Sequence, residues 1–372
     1  MSTQILSRRK KVGLVLFCFL FAMSGILSAC QTTPKYQKYV FYDMEALDTT
    51  SNLQIFLTSQ QDKDYYRTWF SETLQHYHRL FDAYNSYEGI NNVYTINQHA
   101  GISPVSVEKE LYDLIAFSLA QRKATADRTN IAMGRVTAIW KDYMNAVTAS
   151  RDAAIKMNTV PIPVPLPEQN TLVDAAEHID MDMILLDEVR QTVYITDPQM
   201  CLDVGAVAKG YIAELMADQL QEMGVHAAVL DLSGNTKVIG RRVIGDGPSY
   251  FLGDIKDPTT REQLGLRIRL EDQTCLVTSG NYERFVEVDG IRYHHLIDPD
   301  TLIPAQGYYS VTIVAKDSGL ADYLSTALFT VDVATGKEIA SLYKDVEVFW
   351  ITEDLQIHYT PGFPALVDNW TE

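Results

Sequence analysis

The chain has 372 residues, 47% of them hydrophobic and 21% charged, with 31 Lys and Arg set against 48 Asp and Glu. That is a globular composition, and a net charge of −17 speaks against a nucleic-acid binder, which needs clustered Lys and Arg to meet a phosphate backbone. Four Cys cannot scaffold a chain of this size with disulfides, and its length suits one large domain or two lobes.

At the start, Arg8, Arg9, Lys10 and Lys11 precede an apolar run from Val12 to Leu27, closed by Ser28, Ala29 and Cys30. A basic head, a short apolar stretch and small residues before a cut predict a secretory signal over 1–29. The run is slightly short for a spanning helix. Leu27-Ser28-Ala29-Cys30 resembles a bacterial lipobox, which implies lipidation at Cys30, a polar tether over 30–40 and an exported domain over 41–372. The alternative is an uncleaved anchor. Either arrangement places the domain at the extracytoplasmic face of the cell membrane, and two acyl chains would hold it stably. The two remaining cysteines, Cys201 and Cys275, are expected to be reduced and buried.

Tyr66, Phe70, Leu74, Tyr77 and Phe81 share one face of a predicted helix, and Leu111, Leu114, Ile115 and Leu119 share another, with Ser106 as its N-cap. Pro161, Pro163, Pro165 and Pro167 alternate with apolar residues, so the stretch near 158–170 reads as an extended connection and a candidate lobe boundary. Asp203 to Gly210 reads as a strand passing into a helix that carries Ile212, Leu215, Met216, Leu220 and Met223 and stops at Gly224. Ala227–Leu232 and Val311–Ala315 read as buried strands, and Phe285–Val288 and Ile291–Tyr293 as a hairpin turning on Asp289-Gly290. A last helix follows Asp317-Ser318. The class is mixed α and β.

Three groups could carry chemistry. Glycines and Lys209 at a helix start suit an anion, although neither a P-loop nor a G-x-G-x-x-G pattern occurs. Asp322 and Thr326 sit four apart on one helix face, and a carboxylate with a hydroxyl suits Mg²⁺. On a surface lobe, Asp322 would be removable without unfolding. His294 and His295 alternate to opposite sides of a strand, so only one can serve a given site.

These signals coincide in one family. FDAYNSYEGINNVYTIN from Phe81, NIAMG from Asn130, LDVGAVAKGY from Leu202, TSGNYERF from Thr278, YHHLIDPDTLIP from Tyr293 and ADYLSTALF from Ala321 follow the family order, and the chain resembles the ApbE family of FAD:protein FMN transferases. The resemblance implies an α+β, two-lobed fold with the flavin nucleotide between lobes. It implies FAD contacts at Leu47, Tyr87, Ala132, Met133, Gly134, Asp203, Lys209 and Ala305, with Tyr84 competing for the place of Tyr87. It implies metal ligands at Asp322, Thr326 and the Ala206 carbonyl. It also selects His295 as the base and leaves His294 dispensable. Relatives usually carry Gly-Gly where this chain has Ser233-Gly234.

The implied reaction is Mg²⁺-dependent transfer of FMN from FAD to a Thr or Ser hydroxyl of an exported acceptor protein, with AMP leaving. Two alternatives stand beside it: metal-dependent FAD hydrolysis to FMN and AMP, and flavin binding without catalysis.

Overall fold

The computed structural model describes residues 35–59, 61–244, 249–260, 262–368 and 370; the expected secretory signal and Cys30 lie outside them. The chain begins with strands β1 (Tyr36–Asp43) and β2 (Ser51–Thr58), then helices α1 (Lys63–Phe81) and α2 (Val93–Gln98). Strand β3 (Val105–Ser106) precedes helices α3 (Lys109–Gln121), α4 (Gly134–Met157) and α5 (Gln169–Ala176), which β4 (Ile184–Asp187) and β5 (Thr192–Ile195) follow. Helix α6 (Ala208–Glu222) leads into β6 (Ala227–Leu232), β7 (Asn235–Gly240), β8 (Phe251–Lys256), β9 (Gln263–Leu270), β10 (Cys275–Gly280), β11 (Phe285–Val288) and β12 (Ile291–His294). The chain closes with β13 (Tyr308–Ala315), α7 (Ser318–Phe329), α8 (Val333–Ser341), β14 (Glu347–Thr352) and β15 (Ile357–Tyr359).

Eight strands make one antiparallel sheet in the order β1-β2-β6-β7-β10-β13-β14-β15. Side chains alternate along each strand. Leu53, Ile55 and Leu57 of β2, Val311 and Ile313 of β13, and Val348 and Trp350 of β14 therefore join the core shared with α1, α6 and α7. Phe56, Val314, Phe349 and Ile351 face the other way, into a second core closed by the β8–β9 hairpin and Phe363. A third cluster gathers Trp140, Tyr143 and Val147 of α4, Leu172 and Ala175 of α5, and Val286 of β11. The proline stretch runs between α4 and α5, two helices of that same cluster, with Val160 and Ile162 exposed.

Tight turns follow their residues. Asp289 and Gly290 both take positive φ (52° and 77°), as do Ser233 and Gly234 (53° and 89°), the pattern of two-residue hairpins whose twist matches the strands they join. Two sequence expectations are corrected. Ser106 does not cap α3: it lies in β3, and Glu108 stands at the cap without a side-chain bond. Asp203 does not end a strand; it lies in irregular backbone after Cys201, which pairs as an isolated bridge with Met133.

Beneath the helices, Lys237 of β7 is only 1% exposed. Its Nζ donates to Glu214 Oε1 (2.8 Å) and to the carbonyls of Lys316 (2.6 Å) and Gln273 (3.2 Å). Glu214 Oε2 in turn accepts from the Ser318 N–H at the start of α7 (2.7 Å). Burial raises the Glu214 carboxyl, and Lys237 opposes that shift. A buried pair stripped of one partner leaves an uncompensated charge, so Lys237→Ala should lose about 3–5 kcal/mol of stability in urea denaturation. The double change Lys237→Met with Glu214→Leu should lose clearly less.

Candidate active site

The site is assembled around the first turn of α6. Asn97 fixes the approach: its Nδ2 donates to the Leu202 carbonyl (3.0 Å), and its Oδ1 accepts from the Leu202 N–H (2.7 Å). Asp203 then donates its N–H to the Ile131 carbonyl (2.8 Å), and Gly134 donates its own to the Cys201 carbonyl (2.9 Å). Asn130 Oδ1 accepts from Ala132 N–H (2.8 Å), which shapes the neighbouring loop. Ala132, Met133, Gly134 and Ala305 are all buried.

Within the turn, the Val207 and Ala208 N–H groups donate to the Val204 carbonyl. The Gly210 N–H does something else. It belongs to the first turn of α6, whose N–H groups have no partner within the helix, and it donates to Asp322 Oδ2 at 2.8 Å. The Ala206 carbonyl is left without a hydrogen bond among the described residues. Helices α6 and α7 can come this close only because residue 210 has no side chain: a Cβ there would overlap the Ser318 carbonyl and the Asp322 Cβ.

Asp322 is buried, 3% exposed, which corrects the expectation of a removable surface carboxylate. Its Oδ2 lies 3.8 Å from Lys209 Nζ. Burial pushes its carboxyl pKa up, while Lys209 and the Gly210 N–H pull it back. Thr326 lies on the same helix, buried, with no side-chain hydrogen bond among the described residues. Between them, Ser325 Oγ donates to the Asp322 carbonyl (2.9 Å) and pairs with Ser279 Oγ of β10 (2.7 Å). A buried carboxylate, a hydroxyl and a carbonyl with unused lone pairs are hard oxygen donors, the type of ligand Mg²⁺ takes.

The two histidines divide as strand alternation predicts. His295 is exposed, and its Nδ1 lies 3.3 Å from the Arg284 carbonyl. An Nδ1–H donated there leaves the Nε2 lone pair free. Surrounding protein, His294, Lys209 and Arg284 all disfavour a second proton, so the ring's pKa is lowered. Arg284 also reaches the carbonyls of Leu47 and Asp48 (3.4 Å each), two successive residues with positive φ. The Leu47 N–H donates to His78 Nδ1 (3.2 Å).

His294 is fully buried. Its Nε2 lies 2.6 Å from the Ala305 carbonyl, and its Nδ1 accepts from the Leu296 N–H (3.2 Å). Both nitrogens hold the 294–305 loop, so the expectation that His294 is dispensable is corrected: its removal strands two buried backbone groups.

Tyr87 and Tyr84 also separate. Tyr87 is half-buried and donates to Asp82 Oδ2 (2.8 Å), while Tyr84 donates to Asp203 Oδ2 (2.9 Å). Asp82 organises both, since its Oδ1 accepts from the Tyr84 N–H (2.7 Å). No spacing rule singles out Asn97, Arg284 or the role of Gly210, although all three lie inside the quoted runs.

Cys201 is half-buried and Cys275 buried, both free thiols, and burial raises the Cys275 thiol pKa to about 12. No helix among the described residues is long and apolar enough to cross a membrane.

Comparison with known proteins places these residues in context. The sequence model of the ApbE family matches residues 47–350. A FAD:protein FMN transferase of Treponema pallidum (strain Nichols) is 30% identical over 276 residues, 72% of each chain. Another of Klebsiella pneumoniae (strain 342) is 29% identical over 287 residues, 75% of this chain and 83% of that one. Among solved structures, the ApbE protein of Thermotoga maritima superimposes with a TM-score of 0.74 at 24% identity, over 90% of this chain and all of that one. The flavin transferase ApbE of Vibrio cholerae gives 0.72 at 20% identity, over 89% of this chain and all of that one. The structural likeness shows the fold.

Burial lowers the His294 pKa to about 4. An unfolded chain therefore binds more protons than the native one between about pH 6.5 and pH 4, and stability rises with pH through that window. The contribution is fully present above about pH 6.5 and is lost as pH falls toward 4, by about 3 kcal/mol. Urea denaturation at pH 7, 6, 5 and 4 should trace that loss. His294→Asn should be less stable at pH 7 but lose less on acidification.

Proposed function

The chain belongs to the ApbE family, and from that premise we propose that it is a flavin transferase moving FMN from FAD onto a Thr or Ser hydroxyl of an exported acceptor protein, with AMP as the leaving group. The observation that carries this reading is the buried Asp322 bonded to the Gly210 N–H in the first turn of α6 and 3.8 Å from Lys209, whose charge also acts on His295. A helix start with a nearby Lys favours phosphate oxygens.

The Ala206 carbonyl, Asp322 and Thr326 would hold a Mg²⁺ ion. When bound there, such an ion supplies neutralisation of charge on the phosphate oxygens as the phosphoanhydride breaks. The protein's own residues account for the remainder. Lys209 lies beside Asp322 and can share the charge of a diphosphate. His295, held neutral by the surrounding protein and the nearby charges of Lys209 and Arg284, takes the acceptor hydroxyl's proton at Nε2 as that oxygen attacks phosphorus. The Arg284 carbonyl keeps the ring in the tautomer that can do so. The leaving AMP carries away the electron pair of the broken P–O bond. Residues 1–30 support an exported, lipid-anchored location, in keeping with an acceptor outside the cytoplasm.

Mixing the full chain with Mg²⁺, FAD and candidate exported proteins should add the mass of FMN to an acceptor. FMN and AMP appearing with no protein adduct would instead support hydrolysis, with water in the acceptor's place. His295→Ala should retain FAD binding and transfer FMN about 10²–10⁴-fold more slowly in single-turnover assays. Asp322→Ala should abolish transfer and lower the melting temperature too, because it strands the buried Gly210 N–H. Cys30→Ser should end incorporation of labelled palmitate and leave FAD binding intact.

A further inference from the structure

The end of α4 and the proline stretch after it hold apolar side chains in water. Ile155, Met157, Val160 and Ile162 are each at least 66% exposed, and Leu166 is 49% exposed. Large apolar residues gathered this closely form a patch, whereas single ones scattered over a surface need no explanation. The backbone beneath them is fixed. Asn158 closes α4 in the left-handed region (φ 51°), and its N–H and that of Thr159 return to the Ile155 and Ala154 carbonyls. Ser150 Oγ donates to the Ile162 carbonyl (2.7 Å), and Val164 packs against the third core cluster. The segment is therefore tied down at its middle while its other apolar side chains stay outside.

The chemistry of the patch selects what would cover it. An added β-strand needs N–H donors along an edge, and Pro161, Pro163, Pro165 and Pro167 have none. The same lack suits a lipid interface, which penalises N–H groups stripped of water: four of the eight residues from Val160 to Pro167 carry no N–H. Charge points the same way. Residues 153–167 contain Lys156 and no Asp or Glu, in a chain with 48 acidic residues and a net charge of −17. This acid-free surface is where an anionic bilayer would be repelled least. We propose that the patch from Ile155 to Leu166 docks on an anionic lipid bilayer, with Val160 and Ile162 at the boundary of headgroups and acyl chains and Lys156 against lipid phosphates. The proposal rests on the exported, lipid-anchored location given above, which keeps a bilayer within reach, and is independent of the flavin chemistry. Helix α4 runs 24 residues from Gly134 to Met157, about 36 Å at the usual helical rise. Docking thus occupies the end of the helix opposite the Gly134 loop.

The test uses the lipidated full chain in phosphatidylcholine vesicles with and without phosphatidylglycerol. A polarity-sensitive fluorophore is attached through Ile162→Cys and, as a control, through Val189→Cys, a position 94% exposed between β4 and β5. The unsubstituted chain serves as the blank for Cys201. In anionic vesicles, lipid-borne quenchers should place the probe at 162 about 5–10 Å into the headgroup–acyl boundary and leave the probe at 189 in water. Lys156→Gln should lower the ratio of docked to free patch about fivefold with phosphatidylglycerol present and leave it unchanged without. Val160→Asp should return the probe at 162 to water while FAD binding stays intact, which reports an undisturbed fold. A probe at 162 as wet as the one at 189 overturns the proposal, and labelled palmitate in that same chain would still support the anchor. A buried probe in a chain that takes up no palmitate supports docking and removes the anchor reading. Burial of the probe in detergent that grows with protein concentration also overturns the proposal, because a second copy then covers the patch.

Discussion

One hydrogen bond between two helices organises this molecule. The Gly210 N–H, in the first turn of α6 and so without a partner in the helix, donates to Asp322, and two consequences follow. Asp322 acquires a partner that makes its burial tolerable. The starts of α6 and α7 are locked against each other at a distance only glycine allows. A buried carboxylate with one N–H and a Lys at 3.8 Å is incompletely compensated. That deficit is what one expects of a group kept for a cation rather than for stability.

The rest of the fold holds that contact in place. Lys237 lies under the helices and, through Glu214, reaches the first N–H of α7, so the sheet and both helices share one buried polar connection. Ser279 on β10 ties the middle of α7 to the sheet through Ser325. Because the eight-stranded sheet is covered on both faces, neither helix can shift without disturbing a core. The chemistry-bearing groups that meet solvent, His295 and Tyr84, are each held through residues deeper in the molecule: one by the Arg284 carbonyl, the other through Asp203 and Asp82.

Arg284 links two parts of the site that sequence keeps far apart. Its carbonyl orients His295, and its guanidinium holds the Leu47–Asp48 turn, where two non-glycine residues adopt positive φ. Such conformations persist when their surroundings fix them. The same logic explains His294: its partner His295 faces outward, and it spends both ring nitrogens on the backbone that carries Ala305.

Local patterning was readable from the sequence because it obeys short-range rules. Periodic apolar residues marked α1, α6 and α7, Asp289-Gly290 marked its hairpin, and six ordered motifs marked the family. Ser106 was misread because an N-cap residue type also suits a short strand end, and only pairing with β5 decides between them. Tertiary structure alone decided which polar groups are buried and what they face. Asp322 and Thr326 look like an exposed helical pair at spacing four, and Gly210 looks like an ordinary helix residue. Their significance comes from the approach of two helices separated by about a hundred residues, stacked on a sheet whose strand order departs from chain order. A hydrogen bond between Gly210 and Asp322 is a fact of distance in space, and spacing along the chain carries no trace of it.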